Sequence, residues 1–379
     1  MNVFDLLSDK LKQSVQELGF SSPTPVQSEV IPKIINGENV LFQSDTGTGK
    51  TFAYLFPLIT KLDALEANGS LNSSVKIIII APTFELASQI NAACKSVTDI
   101  KTALLIGGVP IKRQIELLKE KPQIVIGTAS RIVELIHLKK LKVENLFAVV
   151  FDETEEKIKK EAISDTSDLR NLLSPSTQII ACSATINKQT KIFFADSKNI
   201  ILPPENVLRE KITHWAIFAE NRDKIDTLRK FLAAENPKKA LVFTSRADQV
   251  ENIFNKLTYK KVECSCLHAK TDKQHRKNAI DFFRRGKTPV LITSDLAARG
   301  LDIPDIQYII QMDLPQDEDF FVHRCGRTAR AGKTGINVVI GDEWEMHHYA
   351  KLEKKFGLTV FPKEIRNGKV VKPEIEEEN

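Results

Sequence analysis

The chain contains no apolar stretch long enough to cross a bilayer. Its longest, "IIIIAP" from Ile77 to Pro82, falls far short of the roughly 20 residues that a membrane helix needs. The opening "MNVFDLLSDKLKQ" lacks the basic, then apolar, then small-residue order of a secretion signal. Cysteine is scarce. The five (Cys94, Cys182, Cys264, Cys266, Cys325) are scattered and odd in number, which argues against a disulfide framework and suits a reducing compartment. Cys264 and Cys266 flank Ser265 close to His268, but no second ligand pair accompanies them, so they read as alternating faces of a buried strand rather than a metal site. Short repeats, low-complexity tracts, a zinc knuckle, an RNA-recognition signature and an arginine-glycine tail are all missing. These absences predict a cytoplasmic protein with no membrane partner, and a monomer is the default expectation.

What is present is an ordinary globular composition, 42% hydrophobic and 27% charged, over 379 residues. The formal charge of +5 permits a polyanionic partner without requiring one. Short β-rich runs that are apolar on both faces alternate with amphipathic helical stretches. In the first half the strand candidates are "NVLFQS", "VKIIIIAPT", "TALLIGG", "QIVIGT", "LFAVVFDE" and "QIIACSAT"; in the second they are "KALVFTS", "VECSCLH", "PVLITSD", "YIIQMD" and "INVVIGD". Runs of this kind are buried parallel strands, and the alternation predicts doubly wound α/β sheets. The order recurs, which predicts two similar domains, residues 1–205 and 206–362, with the break inside "NIILPPENVLREKITHW". Residues 363–379, ending "KPEIEEEN", read as a polar disordered tail.

Two stretches carry chemistry. "SDTGTGKT" (Ser44, Asp45, Thr46, Gly47, Thr48, Gly49, Lys50, Thr51) follows a strand and opens a helix, the context of a phosphate loop. Its glycines let backbone N–H groups turn around phosphate oxygens, Lys50 adds a point charge, and Thr51 is placed for Mg²⁺. The bland alternative is a glycine-rich turn capping a helix. "VVFDETEEK" ends a strand in Asp152 and Glu153. In a nucleotide site Asp152 would hold Mg²⁺ through water and Glu153 would activate the attacking water. In the bland reading, both are acidic residues favoured at a helix start.

These motifs, taken with others in a fixed order, resemble the DEAD-box RNA helicases of superfamily 2, over residues 4 to about 360. The resemblance implies two tandem RecA-like domains that bind ATP, Mg²⁺ and low-specificity single-stranded or short duplex RNA. "GFSSPTPVQ" looks like the family's adenine-reading motif, with Gln27 on the adenine edge and Phe4 and Phe20 beside the base. "APTFELA" places Pro82 and Thr83 on RNA, with Phe84 where the family has arginine. "IGG" (Gly107, Gly108) and "TASR" (Thr128, Arg131) would also touch RNA, although Ala129 and Ser130 replace a proline and a glycine. "DETE" stands for D-E-A-D, so Thr154 and Glu155 depart from the box. Glu155, Ser183 and Thr185 would couple hydrolysis to closure. In the second half, "FTSR" supplies Ser245 and Arg246. "HAKTDKQHR" supplies Arg276, with Lys273 replacing a glutamine. "TSDLAARGLDIP" supplies Thr293 to RNA, Asp295 to the coupling network and Asp302 to the ribose. "HRCGRTARAG" supplies His323 to that network and the arginine fingers Arg327 and Arg330; Arg324 also allows this run to be read as a general phosphate patch. Lys50, Asp152, Glu153, Arg327 and Arg330 would then be the catalytic set.

The expected activity is RNA-stimulated ATP hydrolysis that drives local unwinding or remodelling. Two rivals differ in class or substrate. The departures at Phe84, Ala129, Ser130, Thr154, Glu155 and Lys273 motivate a non-enzymatic RNA clamp. A DNA helicase of the same superfamily is opposed by the adenine-reading and S-A-T motifs.

Overall fold

The computed structural model describes residues 2–44, 48–71, 74–154, 163–201, 207–268, 271, 273–298, 303–329 and 333–374. The chain divides into two compact units, Met1–Pro204 and Glu205–Asn379.

The first unit is built on β1 (Val40–Gln43), β2 (Ile77–Ile80), β3 (Thr102–Leu105), β4 (Ile124–Gly127), β5 (Ala148–Phe151), β6 (Gln178–Ser183) and β7 (Lys198–Ile201). They form one sheet in the order β3-β4-β2-β5-β6-β1-β7, and every pairing is parallel. Side chains alternate across a strand. Ile77 and Ile79 therefore enter one core and Ile78 and Ile80 the other, and Ala148 and Val150 likewise part from Val149 and Phe151. On the first face lie α1 (Asp9–Glu17), α2 (Pro25–Ile35), α3 (Lys50–Ala67) and α4 (Phe84–Val97). On the second lie α5 (Ile111–Lys119), α6 (Ala129–His137), α7 (Ile163–Asn171) and α8 (Lys188–Phe193). Leu105, Gly127, Ile80, Phe151, Ala181 and Leu41 form one row across the sheet. The loops that follow these strands therefore emerge at one edge, the carboxyl edge at which open α/β sheets place their ligands.

The second unit contains β8 (Ile212–Phe218), β9 (Ala240–Thr244), β10 (Cys264–Leu267), β11 (Val290–Ser294), β12 (Tyr308–Gln311), β13 (Gly335–Gly341), β14 (Val360–Arg366) and β15 (Lys369–Val371). Their order is β10-β11-β9-β12-β13-β8-β14-β15, parallel except for β15. Helices α9 (Lys224–Glu235) and α10 (Ala247–Tyr259) cover one face. Helices α11 (Lys273–Arg284), α12 (Asp295–Ala298), α13 (Glu318–Cys325) and α14 (Glu343–Phe356) cover the other.

Two expectations need correction. Residues 363–371 are not a disordered tail. β14 adds in parallel to β8 and turns back through Asn367 and Gly368, at φ +51° and +73°, into β15. Asn-Gly with both φ positive is the preferred two-residue hairpin turn, and Ile365 and Val370 use it to pack on the core. Residues 375–379 lie outside the described residues. Cys264 and Cys266 do not alternate faces. They are two apart, so they share one half-buried face of β10, while Ser265 and Leu267 are buried on the other. All five cysteines are free. No helix among the described residues is long and apolar enough to cross a membrane.

Candidate nucleotide and nucleic-acid site

β1 delivers the chain to the phosphate loop. The Ser44 N–H donates to the Ser183 carbonyl at 3.1 Å, so the loop is tied to the S-A-T segment at its first residue. Lys50 Nζ donates to the Ser44 carbonyl at 2.6 Å, and the Ser44 and Thr48 hydroxyls meet at 2.7 Å. Asp45, Thr46 and Gly47 lie outside the described residues. α3 starts at Gly49 (φ +91°) with no side-chain cap. By contrast, α2 and α4 are capped by Thr24 and Thr83. The start of α3 thus carries no side-chain cap at its N-cap residue, and a helix start of this kind favours an anion. A Cβ on Gly49 would sit 2.7 Å from Gln27 Nε2, so this close approach requires glycine.

Gln27 is fully buried and does local work. Its Oε1 accepts from the Thr24 N–H at 3.0 Å, completing a capping box, and its Nε2 reaches the Gly49 carbonyl at 3.4 Å. One lone pair and one hydrogen of the amide remain for an adenine edge. Phe4 is only 8% exposed, its ring edge against Phe56 at 5.9 Å, so it is committed to the core rather than open to a base. Phe20 is half-buried, edge-on to Phe52 at 5.1 Å.

Asp152 is 3% exposed at the end of β5. Three donors hold its carboxylate: the Tyr54 hydroxyl (2.9 Å), the Cys182 thiol (2.9 Å) and the Glu153 N–H (2.9 Å). Sequence reasoning missed Tyr54 and Cys182. The available signal was spacing, since Tyr54 lies one helical turn after Lys50 and faces the same way. Burial first, and then the Asp152 charge, push the Tyr54 phenol well above its ordinary range, so it remains a donor. Glu153 is half-buried at φ +50°, a conformation that costs a non-glycine residue about 1 kcal/mol or more. Thr154, which fills the box's alanine position, is fully buried, and its hydroxyl has no hydrogen-bond partner among the described residues. Ser183 Oγ donates to the Thr185 carbonyl. Glu155 lies outside the described residues.

The loops predicted to meet RNA share the same sheet edge. Thr83 N-caps α4, and the adjacent Phe84 ring is 49% exposed. Gly107 and Gly108 are exposed, Gly108 at φ +74°. Arg131 Nη1 donates to the Val109 carbonyl at 2.9 Å and its Nε pairs with Glu134 at 2.9 Å, which joins the "TASR" loop to the "IGG" loop. Gln114, 1% exposed, pins the same loop: its Oε1 accepts from the Ile106 N–H (3.1 Å), and its Nε2 donates to the carbonyls of Ile106 (2.8 Å) and Val109 (3.2 Å). Nothing in the sequence marked Gln114. The Thr128 hydroxyl is buried without a partner among the described residues.

In the second unit Arg324 organises the site. It is 1% exposed. It pairs with both Asp295 oxygens (2.6 and 2.7 Å) and donates to the Asp313 carbonyl (2.7 Å), Gln311 Oε1 (3.1 Å) and Ser245 Oγ (2.9 Å). Its donors are thus consumed internally, which removes it from any general phosphate patch. The "FTSR", "TSD" and "DLP" segments are fastened together through this one guanidinium. Behind it, Gln311 donates to Asn337 (2.8 Å), Asn337 donates to Tyr349 (3.0 Å), and Tyr349 meets His214 Nδ1 (3.2 Å). His214 Nε2 then donates to the Leu208 carbonyl (2.7 Å), and burial lowers the pKa of this ring. Thr293 departs from expectation: it is fully buried inside β11 and bonded to the Ser294 carbonyl at 3.2 Å, so it presents no hydroxyl to a phosphate. Arg246 is exposed and paired with Asp248 at 2.7 Å, and Arg276 donates to the Ala297 carbonyl at 2.9 Å. Arg327 is half-buried on a cavity of about 710 Å³ that Lys238, Lys239 and Lys333 also line. The next residue anchors it: the Thr328 hydroxyl donates to the Ile306 carbonyl at 2.5 Å and packs where a Cβ on Gly335 would stand. His323 is half-buried on α13. Asp302 and Arg330 lie outside the described residues.

Comparisons with known proteins agree with this layout. Residues 24–193 match the DEAD/DEAH box helicase family and residues 223–332 the helicase conserved C-terminal domain. The chain is 34% identical to the DEAD-box ATP-dependent RNA helicase CshC of Bacillus cereus, over 95% of this chain and 92% of that protein. It is also 34% identical to YfmL of Bacillus subtilis, a probable ATP-dependent RNA helicase, over 93% of each. Its fold resembles that of S. cerevisiae Dbp5, solved bound to RNA and ADP BeF3, with a TM-score of 0.83 at 24% identity, covering 95% of both chains. The two sheets are therefore tandem RecA-like domains. The two family models fall one in each unit, and these two relatives match nearly end to end: the chain belongs to the DEAD-box family of ATP-dependent RNA helicases.

Proposed function

We propose that this chain hydrolyses ATP in response to RNA and uses the cycle to separate short duplexes or remodel RNA–protein complexes. One observation carries the reading. The helix that Lys50 and Thr51 open also sends Tyr54 to the Asp152 carboxylate, so the phosphate loop and the acidic pair form one rigid constellation. Lys50 would neutralise the β/γ-phosphates, and Glu153 would orient and deprotonate the attacking water. Gln27, with half its amide unused, would select adenine. Three donors occupy three of the roughly four acceptor directions of the Asp152 carboxylate. The remaining one fits a water-mediated Mg²⁺, with Thr51 as the second holder. Bound there, the ion would offset charge on the phosphates.

The family resemblance assigns Arg327 and Arg330 to the developing γ-phosphate charge and Asp302 to the ribose. Ser183, Thr185, Glu155, Asp295 and His323 would couple hydrolysis to RNA release. The Ser44–Ser183 bond supports that role, because it ties the S-A-T segment to the phosphate loop. RNA would be held by its phosphates and 2′-hydroxyls at Pro82, Thr83, Gly107, Gly108, Thr128, Arg131, Ser245, Arg246 and Arg276, with low sequence preference. The five free cysteines support a reducing, cytoplasmic setting.

The test is phosphate release by wild type and Glu153→Gln, with RNA, DNA or neither, and duplex unwinding measured in parallel. Turnover should require RNA and fall by at least about a hundredfold in the variant, while ATP-dependent RNA binding survives. RNA-stimulated turnover at the wild-type rate in Glu153→Gln refutes the assignment. RNA binding without turnover in wild type would leave only a clamp.

A further inference from the structure

The second unit carries a charge asymmetry of which only Lys273 and Arg276 fall within a motif. Residues 273–287, "KQHRKNAIDFFRRGK", hold six cations (Lys273, Arg276, Lys277, Arg284, Arg285, Lys287) against the single acid Asp281. Their net charge of +5 equals that of the entire chain, so the other residues sum to zero. A merely solvated helix face needs no such bias: the preceding helix α10 carries Asp248, Glu251 and Lys256, and α14 balances three acids with three lysines.

The charge is presented outward. Ala279, Ile280 and Phe283 turn α11 into the core, leaving Lys277, Asn278, Arg284 and Arg285 exposed along the other side. Asp281 is answered by Arg284 at 3.8 Å. Gln274 donates to Asn278 at 3.0 Å, which adds polar groups to the row. Past the helix, Gly286 turns at φ +72° and Lys287 folds back over the Phe282 ring, 5.4 Å from its centre. The row begins where Arg276 bonds Ala297, beside the Asp295 segment. It runs roughly 18 Å along the flank of the unit, the length of twelve helical residues.

We propose that this outer face of α11, with Arg285 and Lys287 beyond it, docks the phosphate backbone of duplex RNA flanking the strand being worked on. The inference rests on the RNA reading above and extends it to a surface beyond the motif loops. The chemistry of the row favours a duplex. Spaced point cations and amides suit a regular polyanionic backbone. Single-stranded sites instead offer repeated aromatic platforms, and among the described residues this face offers only His275 and Phe282, the latter with Lys287 over its ring.

The experiment uses the full chain and the variant Lys277→Gln/Arg284→Gln/Arg285→Gln/Lys287→Gln, which keeps good helix formers on an exposed face. Affinity is measured across a salt series for an RNA hairpin with a single-stranded extension, and for that extension alone. A thermal scan confirms that the variant is folded. We expect the variant's Kd for the tailed hairpin to rise on the order of tenfold, with its salt slope shallower by roughly two to four. Affinity for the single strand and turnover at saturating single-stranded RNA should not change. Unchanged hairpin affinity and slope overturn the proposal, and so does an equal loss on the single strand. Loss of binding to anionic phospholipid vesicles with RNA affinity intact overturns it in favour of a membrane. If wild type binds no RNA at all, the functional reading falls as well; if wild type is RNA-stimulated and only the hairpin effect is missing, this inference falls alone.

Discussion

A carboxylate buried beside a phosphate loop needs hydrogen-bond donors to replace the water it leaves, and three donors meet Asp152. Tyr54 is the removable one, because Tyr54→Phe deletes an oxygen and little volume. The variant should lose about 1–2 kcal/mol of stability and on the order of ten- to a hundredfold in RNA-stimulated turnover, since the carboxylate would no longer be aimed. Melting and phosphate release measure the two effects. Full turnover with normal aim would show that Cys182 and the Glu153 amide suffice. Tyr54 was legible only as a helix residue, because which strand end its hydroxyl would meet depends on the order of strands in the sheet. The role of Arg324 was equally illegible, since the sequence offered it only within the alternative of a general phosphate patch. A run of cations looks like a phosphate patch until three acceptor-bearing loops close around one of them.

At the scale of elements, the loops are positioned by side chains that the motifs do not contain. Gln114 sits on α5, yet it fixes Ile106 and Val109 on either side of Gly107 and Gly108. Gln114→Leu keeps the volume and removes the bonds. We expect the RNA concentration for half-maximal ATPase stimulation to rise about tenfold, and ATP hydrolysis without RNA to stay unchanged. The buried amide and carbonyl left behind should also cost about 1–3 kcal/mol. A fall in the RNA-free rate would contradict a purely loop-positioning role. The strands themselves were largely legible, because runs such as Ile77–Ile80 are apolar on both faces and only a covered parallel sheet buries both. β8 was not recognised because its alternation of buried and exposed residues looks unlike those runs.

At the scale of the whole molecule, β14 and β15 decide where the second unit ends. A chain stopped after Pro362 would lose the hairpin and the packing of Ile365 and Val370 on the core. It should be less stable by about 1–3 kcal/mol, judged from two half-buried aliphatic side chains, whereas a chain stopped after Glu374 should melt like the full protein. Equal melting of both would return residues 363–371 to the status of a dispensable tail. The acidic end "KPEIEEEN" drew the sequence reading towards disorder, although the Asn-Gly turn signal stood a few residues before it.

By itself the sequence determined the two-domain α/β class, the phosphate loop, the acidic pair and the family, because these depend on local spacing: glycines where a backbone must turn, a lysine at a helix start, carboxylates after an apolar run. Only the tertiary structure decided which side chains hold those groups in place. Tyr54 and Cys182 reach Asp152 from a helix and a neighbouring strand. Gln114 reaches over the glycine loop, and Arg324 gathers three segments distant along the chain. Thr293, for all its motif position, faces inward. Such contacts follow from strand order and the alternation of faces, which no local stretch of residues encodes.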